Sequence, residues 1–237
     1  MQTVLMLGST SLVGEAIIEE FSKDNRIILS GRNDARLTEV SNRCMRAGAL
    51  DVKIVVADLS ETIQPIVNAN FEWPIDLLID AASAASINRD SEVKPETIIQ
   101  IIQADVIAHM ELLKIISENN ARHPNVIFIS TILTRIKTPD REIYSMAKRI
   151  MEIYLQKIAK TKPNVKILIF HIAKIIDTKH DRLKAKTMAK SLYLSSLEGG
   201  STIIYGLLGR ILILLSLLHP KILDVIIIAH RKFRGSN

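Results

Sequence analysis

The sequence predicts an α/β fold, a doubly wound parallel sheet with helices on both faces, followed by a hydrophobic helical tail. Three observations carry that prediction. Apolar runs of strand length alternate with amphipathic runs of helix length along most of the chain. Hydrophobic residues make up 48% of the 237 residues but aromatics only 4%, so the core is built from Ile, Leu, Val and Ala, as suits strands buried on both faces. The first apolar run, finally, passes through a glycine turn directly into a helix.

The strands are expected at Thr3–Leu7, Ile27–Leu29, Val52–Val56, Leu77–Asp80, Val126–Ser130 and Lys166–Phe170, each a short run rich in β-branched or aliphatic residues. The intervening helices are expected at Val13–Ser22, Asp34–Ala47, Ile63–Ala69, Glu96–Glu118, Ile143–Lys160 and Asp181–Ser196, where apolar residues recur with helical spacing. Strict alternation of the two means parallel strands joined by helical crossovers. Residues 1–200 read as one nucleotide-binding domain that includes the catalytic site. Residues 201–237 read as a last edge strand, Ser201–Tyr205, and then an apolar tail with a basic end.

The turn after the first strand is Gly8, Ser9, Thr10, Ser11, Leu12, Val13, Gly14. A glycine there allows a tight turn, and the helix N-terminus behind it offers unpaired N–H groups to a pyrophosphate. Ser9, Thr10 and Ser11 add hydroxyl donors, while Leu12 stands where a middle glycine would permit the closest backbone approach. The second strand ends in Leu29, Ser30, Gly31 and Arg32, with no acid to bind a ribose 2′-hydroxyl. A cation there favours the 2′-phosphate of NADP(H) over NAD(H); a solvated loop arginine is the plainer reading. Asp58, before Leu59, is open to two roles, an acceptor for an adenine amino group or an N-cap for the next helix.

Tyr144 and Lys148 stand four apart on the helix Ile143–Lys160, hence on one face. A phenol can give a proton to a carbonyl oxygen that is receiving hydride, and a neighbouring ammonium favours the phenolate. Thr131, at the end of the fifth strand, is placed to orient that oxygen. His109 and His171 read as packed side chains and not as acids.

In order and spacing these residues resemble the short-chain dehydrogenase/reductase family, classical type, from about Val4 to Thr178. Gly8 to Gly14 resembles its glycine motif and Asp58-Leu59 its adenine contact. Asp80, Ala81, Ala82 and Ser83 fall where the family has Asn-Asn-Ala-Gly, which places Ala81 at the cofactor. Thr131 precedes Tyr144 by the family's usual 13 residues. Tyr144 and Lys148 form its hallmark pair, and Thr178 matches the contact to the nicotinamide carboxamide. The family's relay asparagine aligns with Asp105, which could hold a relay water, pair directly with Lys148, or be a solvated polar residue. The resemblance implies a Rossmann fold, an NADP(H)-dependent oxidoreductase acting on a ketone, and a homodimer or homotetramer. The departures at Leu12, Asp80, Ala81 and Asp105 leave a catalytically silent scaffold or sensor as the alternative.

The remaining sequence mostly excludes. A single cysteine, Cys44, permits no internal disulfide, and the six histidines show no metal spacing. No basic stripe with interleaved aromatics suggests a nucleic-acid partner. The chain opens directly on a strand, with no signal peptide expected, so a cytoplasmic location is expected. From Gly199 onward Arg210, Lys221, Arg231, Lys232 and Arg234 face a single acid, Asp224. The apolar run Leu207–Leu218 is shorter than the roughly 20 residues of a membrane span. It suits a helix lying in the inner face of a membrane, a buried helix pair or an oligomer contact. The tail also resembles, loosely, that of reductases acting on polyprenyl-phosphate-linked keto-sugars, which implies a lipid-linked substrate.

Overall fold

The computed structural model describes residues 1–83, 94–119, 123–136, 142–172, 179–198, 201–207, 210–211 and 213–214. Seven strands form one sheet: β1 (Thr3–Leu7), β2 (Arg26–Gly31), β3 (Asp51–Val56), β4 (Leu77–Asp80), β5 (Asn125–Thr131), β6 (Ile167–Ile172) and β7 (Thr202–Ile204). Their order is β3-β2-β1-β4-β5-β6-β7, and every pair is parallel. The helices are α1 (Leu12–Phe21), α2 (Asp34–Arg46), α3 (Gln64–Glu72), α4 (Pro95–Ile102), α5 (Ala108–Asn119), α6 (Glu142–Thr161) and α7 (Lys179–Glu198).

The pleat sorts the strand residues into two cores. Val4 and Met6 of β1 face α1, α2 and α7, where Ile17, Leu37, Val40, Met188 and Leu192 are buried. Leu5 and Leu7 face α3, α5 and α6, against Ile66, Leu112, Ile116, Met151 and Leu155. Cys44 lies in the first core, and burial pushes its thiol up. The strands of β1, buried along their whole length, therefore read as continuous apolar runs.

Chain order reverses between β1 and β4, and the crevice beyond the carboxyl ends of these strands is where an open α/β sheet binds ligands. The doubly wound fold is as the sequence predicts. One expected helix is divided: Glu96–Glu118 becomes α4 and α5, separated by a π-helical turn at Gln103–Ile107. β7 extends the sheet at its edge, with the N–H of Tyr205 donating to the His171 carbonyl at 2.9 Å and the Tyr205 ring against Phe170. Of the tail, residues 207, 210, 211, 213 and 214 are helical, and the other tail residues expected to meet a membrane lie outside the described residues. Among the described residues no helix is long and apolar enough to cross a membrane.

Candidate active site

The loop after β1 is held by its own glycines. Gly8 has φ +74°, a left-handed conformation, and a Cβ there would meet the Ala81 backbone at 2.8 Å. A Cβ on Gly14 would stand 2.2 Å from the Gly8 carbonyl oxygen. Ser11 caps α1: its hydroxyl donates to the Gly8 carbonyl at 3.0 Å and accepts from the Gly14 N–H at 2.9 Å. The N–H groups of Thr10, Leu12 and Val13 have no acceptor among the described residues, which leaves three donors at the start of a helix. The Leu12 and Val13 side chains pack on the core beside α1. Ser9 has a different role from the one its sequence position suggests. It is buried, and its hydroxyl donates to Met6 and accepts from Ser30, tying β1 to β2.

At the end of β2, Arg32 is an exposed cation whose Nη1 lies 3.9 Å from Asp58 Oδ2. Asp58 accepts from the Ser60 hydroxyl at 2.7 Å and the Ser60 N–H at 2.9 Å. These bonds, outweighing burial and helped by Arg32, hold its carboxyl below the usual carboxylate range. Asp58 thus closes a local turn and is not the cap of α3, whose N-cap position is Ile63. Leu59 packs on the core under α3. Arg36, the next cation along, is already engaged by Glu15 and Glu39.

Across the crevice, Thr131 ends β5, and its hydroxyl accepts from the Leu133 N–H at 3.3 Å as the cap of a short 3-10 turn. Tyr144 and Lys148 stand one turn apart on α6; the tyrosine is half-buried and has no hydrogen bond to the described residues. Lys148 is 2% exposed. Its ammonium donates to the Ala82 carbonyl at 2.8 Å and lies 4.8 Å from the centre of the Phe128 ring. Asp105 is buried within the π turn and accepts from the Ser83 hydroxyl at 2.7 Å. No ion pair within 4.0 Å joins it to Lys148 among the described residues, so the direct pairing that the sequence left open is not formed. Ala81 sits directly behind Gly8. Thr178, expected at the nicotinamide, lies outside the described residues.

A family model described as short chain dehydrogenase matches residues 2–188. The chain belongs to the short-chain dehydrogenase family. Among solved structures it is similar to a short-chain dehydrogenase from Sphingobium yanoikuyae in complex with NADPH, at 16% identity, with 87% of this chain and 89% of that one covered and a TM-score of 0.76. It is also similar to the bulky-bulky ketone specific alcohol dehydrogenase from Comamonas testosteroni, at 14% identity, 87% coverage of both chains and a TM-score of 0.77. A third is a 3-oxoacyl (acyl-carrier-protein) reductase from Agrobacterium tumefaciens C58 with NADP bound, at 20% identity, 86% and 92% coverage and a TM-score of 0.71. No curated protein matches it.

Two buried polar groupings of this short-chain dehydrogenase were not legible as partners in the sequence. In the first, His109 Nδ1 lies 2.7 Å from Asp80 Oδ2, with both side chains buried. Burial alone would raise the Asp80 carboxyl; His109, then Lys148 and the Ala82 N–H, reverse this and hold it below its usual range. The second centres on Glu152, one turn beyond Lys148 and fully buried. Its Oε1 accepts from the Ser130 and Thr134 hydroxyls and lies 2.9 Å from His171 Nε2; its Oε2 lies 3.0 Å from Arg149 and 3.2 Å from Arg135. The longer 3.4 Å approach of Arg135 Nε to the same imidazole nitrogen gives way to the Glu152 contact, so the His171 proton sits on Nε2. Desolvation would raise the Glu152 carboxyl, but the bonds from His171, Ser130 and Thr134 bring it down to about 2. Since Ser130 and Thr134 flank Thr131, this carboxylate fixes the strand end that carries the candidate catalytic hydroxyl.

Proposed function

We propose that this chain is an NADP(H)-dependent oxidoreductase that reduces a ketone to an alcohol, with Tyr144 as proton donor. The observation that carries the reading is the buried Lys148 ammonium, placed one turn from Tyr144 on the crevice opposite a glycine loop whose three N–H donors have no acceptor among the described residues. A dinucleotide fits these residues. The N–H groups of Thr10, Leu12 and Val13 would hold its pyrophosphate, Gly8 and Gly14 allow the close backbone packing that presents them, and Arg32, after a second strand that ends in no acid, suits a 2′-phosphate. When bound, the nicotinamide supplies the hydride.

The protein does the rest. Thr131 orients the carbonyl oxygen. Tyr144 gives its proton to that oxygen as negative charge develops there. An unperturbed phenol titrates near pH ~10, and the Lys148 ammonium stabilises the phenolate left behind. Asp105, linked to Ser83 at the base of the crevice, holds the route by which the proton is replaced.

Within the ketones we place a keto-sugar on a lipid carrier first, presented at the inner face of a membrane to the apolar, basic-ended tail. The support is the tail sequence, Leu207–Leu218 followed by Arg231, Lys232 and Arg234. The exposed Ile107, Met146 and Ile153 on α6 and beside α5 suit a second copy of the chain in a homodimer or homotetramer.

The test is NADPH oxidation by the purified protein across a ketone panel, with Tyr144→Phe as control. The variant is expected to lose at least about 100-fold in kcat/KM while binding NADPH as before. Undiminished turnover in Tyr144→Phe would remove the phenol from the mechanism.

A further inference from the structure

Lys148 shares its surroundings with more charge than the proton transfer requires. Lys148, Asp80, His109 and Asp105 are each 3% exposed or less. They come from α6, β4, α5 and the π turn, and with Tyr144 of α6 they are the titratable groups at this locus among the described residues; Phe128 of β5 and Ala82 supply neutral walls. Ala82 links them. Its N–H donates to Asp80 Oδ1 at 3.2 Å, and its carbonyl accepts from Lys148 Nζ at 2.8 Å. The other Asp80 oxygen faces His109 Nδ1 at 2.7 Å. The chain His109–Asp80–Ala82–Lys148 therefore crosses from α5 to α6 beneath the crevice.

We propose that Asp80 and His109 are positioning residues that together set the charge Lys148 presents to Tyr144. An ammonium lowers the cost of ionising a nearby phenol, and a carboxylate beside that ammonium takes part of the effect away. Charges buried among apolar walls are little screened, so Asp80 is felt at the phenol as well as at Lys148. His109 offsets Asp80 by holding one of its oxygens. Its influence on Tyr144 runs chiefly through Asp80, the carboxylate it contacts. The arrangement allows this chain to carry two carboxylates, Asp80 and Asp105, where the family resemblance has amides, without cancelling the buried Lys148. The proposal rests on the reading of Tyr144 and Lys148 given above.

The test needs no substrate. The Tyr144 phenolate is followed by ultraviolet absorbance during alkaline titration, with the Tyr144→Phe curve subtracted to remove the other tyrosines, of four in all. Asp80→Asn is expected to lower the Tyr144 midpoint by roughly half to one pH unit. His109→Leu is expected to raise it by less. The double variant should match Asp80→Asn alone, because His109 has nothing left to offset. If His109→Leu does not fold, His109→Met takes its place with the same expectation. Lys148→Met separates the two levels: it should raise the midpoint. No movement there would overturn the Tyr144–Lys148 reading itself. Movement in Lys148→Met, with Asp80→Asn unmoved or moved upward, would overturn the Asp80–His109 proposal alone. General damage to the fold would not send the two single variants in opposite directions.

Discussion

Replacing Glu152 by glutamine keeps the side chain's size and removes its charge. Five groups then lose the carboxylate they share, of which glutamine keeps a single acceptor oxygen: the Ser130 and Thr134 hydroxyls, the His171 ring, and the Arg135 and Arg149 guanidinium groups. The magnitude follows from the carboxyl itself. A glutamate that titrates at 4.5 when unperturbed is held at about 2 in the fold. At about 1.4 kcal/mol per pH unit, that gap is worth about 3 kcal/mol. The side chain is fully buried, so solvent takes little of this away. The sign is that of a depressed carboxylate. The contribution is complete above the unfolded value near 4.5 and disappears as pH falls toward 2. About 0.8 kcal/mol of it is gone by pH 4 and about 2 kcal/mol by pH 3. Urea unfolding of both proteins at several pH values reads this directly. At neutral pH Glu152→Gln should be less stable by about 3 kcal/mol, consistent with breaking a buried charge cluster from one side. At pH 3 the difference should shrink to about 1 kcal/mol. A gap that is the same at pH 7 and pH 3 would mean that the carboxylate charge does not stabilise this fold, whatever the glutamine disturbs.

Two further outcomes concern the cofactor loop. Gly14→Ala places a methyl 2.2 Å from the Gly8 carbonyl and should weaken NADPH binding by about tenfold or more while lowering the melting temperature; nicotinamide fluorescence titration reads the first effect, and an unchanged Kd would show that the loop is not the phosphate site. Arg32→Gln should raise the Kd for NADPH by roughly tenfold, about 1.4 kcal/mol, and leave NADH unaffected; an equal loss for both would make Arg32 a general surface charge and not a reader of the 2′-phosphate.

Much of this molecule is visible in its residue order because periodicity reports which face of an element is covered. The strands from Thr3–Leu7 to Lys166–Phe170, and the pairing of Tyr144 with Lys148 on one helical face, follow from spacing alone. Periodicity does not report what a buried polar residue meets. Asp80 and His109 are 29 positions apart, and only the packing of α5 on β4 makes them neighbours. Glu152 carried a usable signal that was missed: it falls four residues after Lys148 on the face that also buries Ala147, Met151 and Leu155, where a carboxylate requires partners. Ser9 misled for the opposite reason. A hydroxyl in a glycine loop suggests a ligand, yet backbone groups of β1 and β2 reached it first. Asp58 went to Ser60 on the same principle, local donors being closer than a helix end.

The π turn at Gln103–Ile107 also bears on how this chain can change length. A π turn holds one residue more than the α-helical turn it replaces. The wider turn takes up that residue locally, so α4 and α5 keep the faces they would have in one continuous helix a residue shorter, and Ile101 and Leu112 lie in the same core. What the extra residue changes is the turn itself, where Asp105 is buried against the Ser83 hydroxyl. Deleting a residue there would let Pro95–Asn119 close into regular α-helix with its core face intact, and would remove the local widening that sets Asp105 against Ser83. The fold should tolerate that shortening, and the crevice should not.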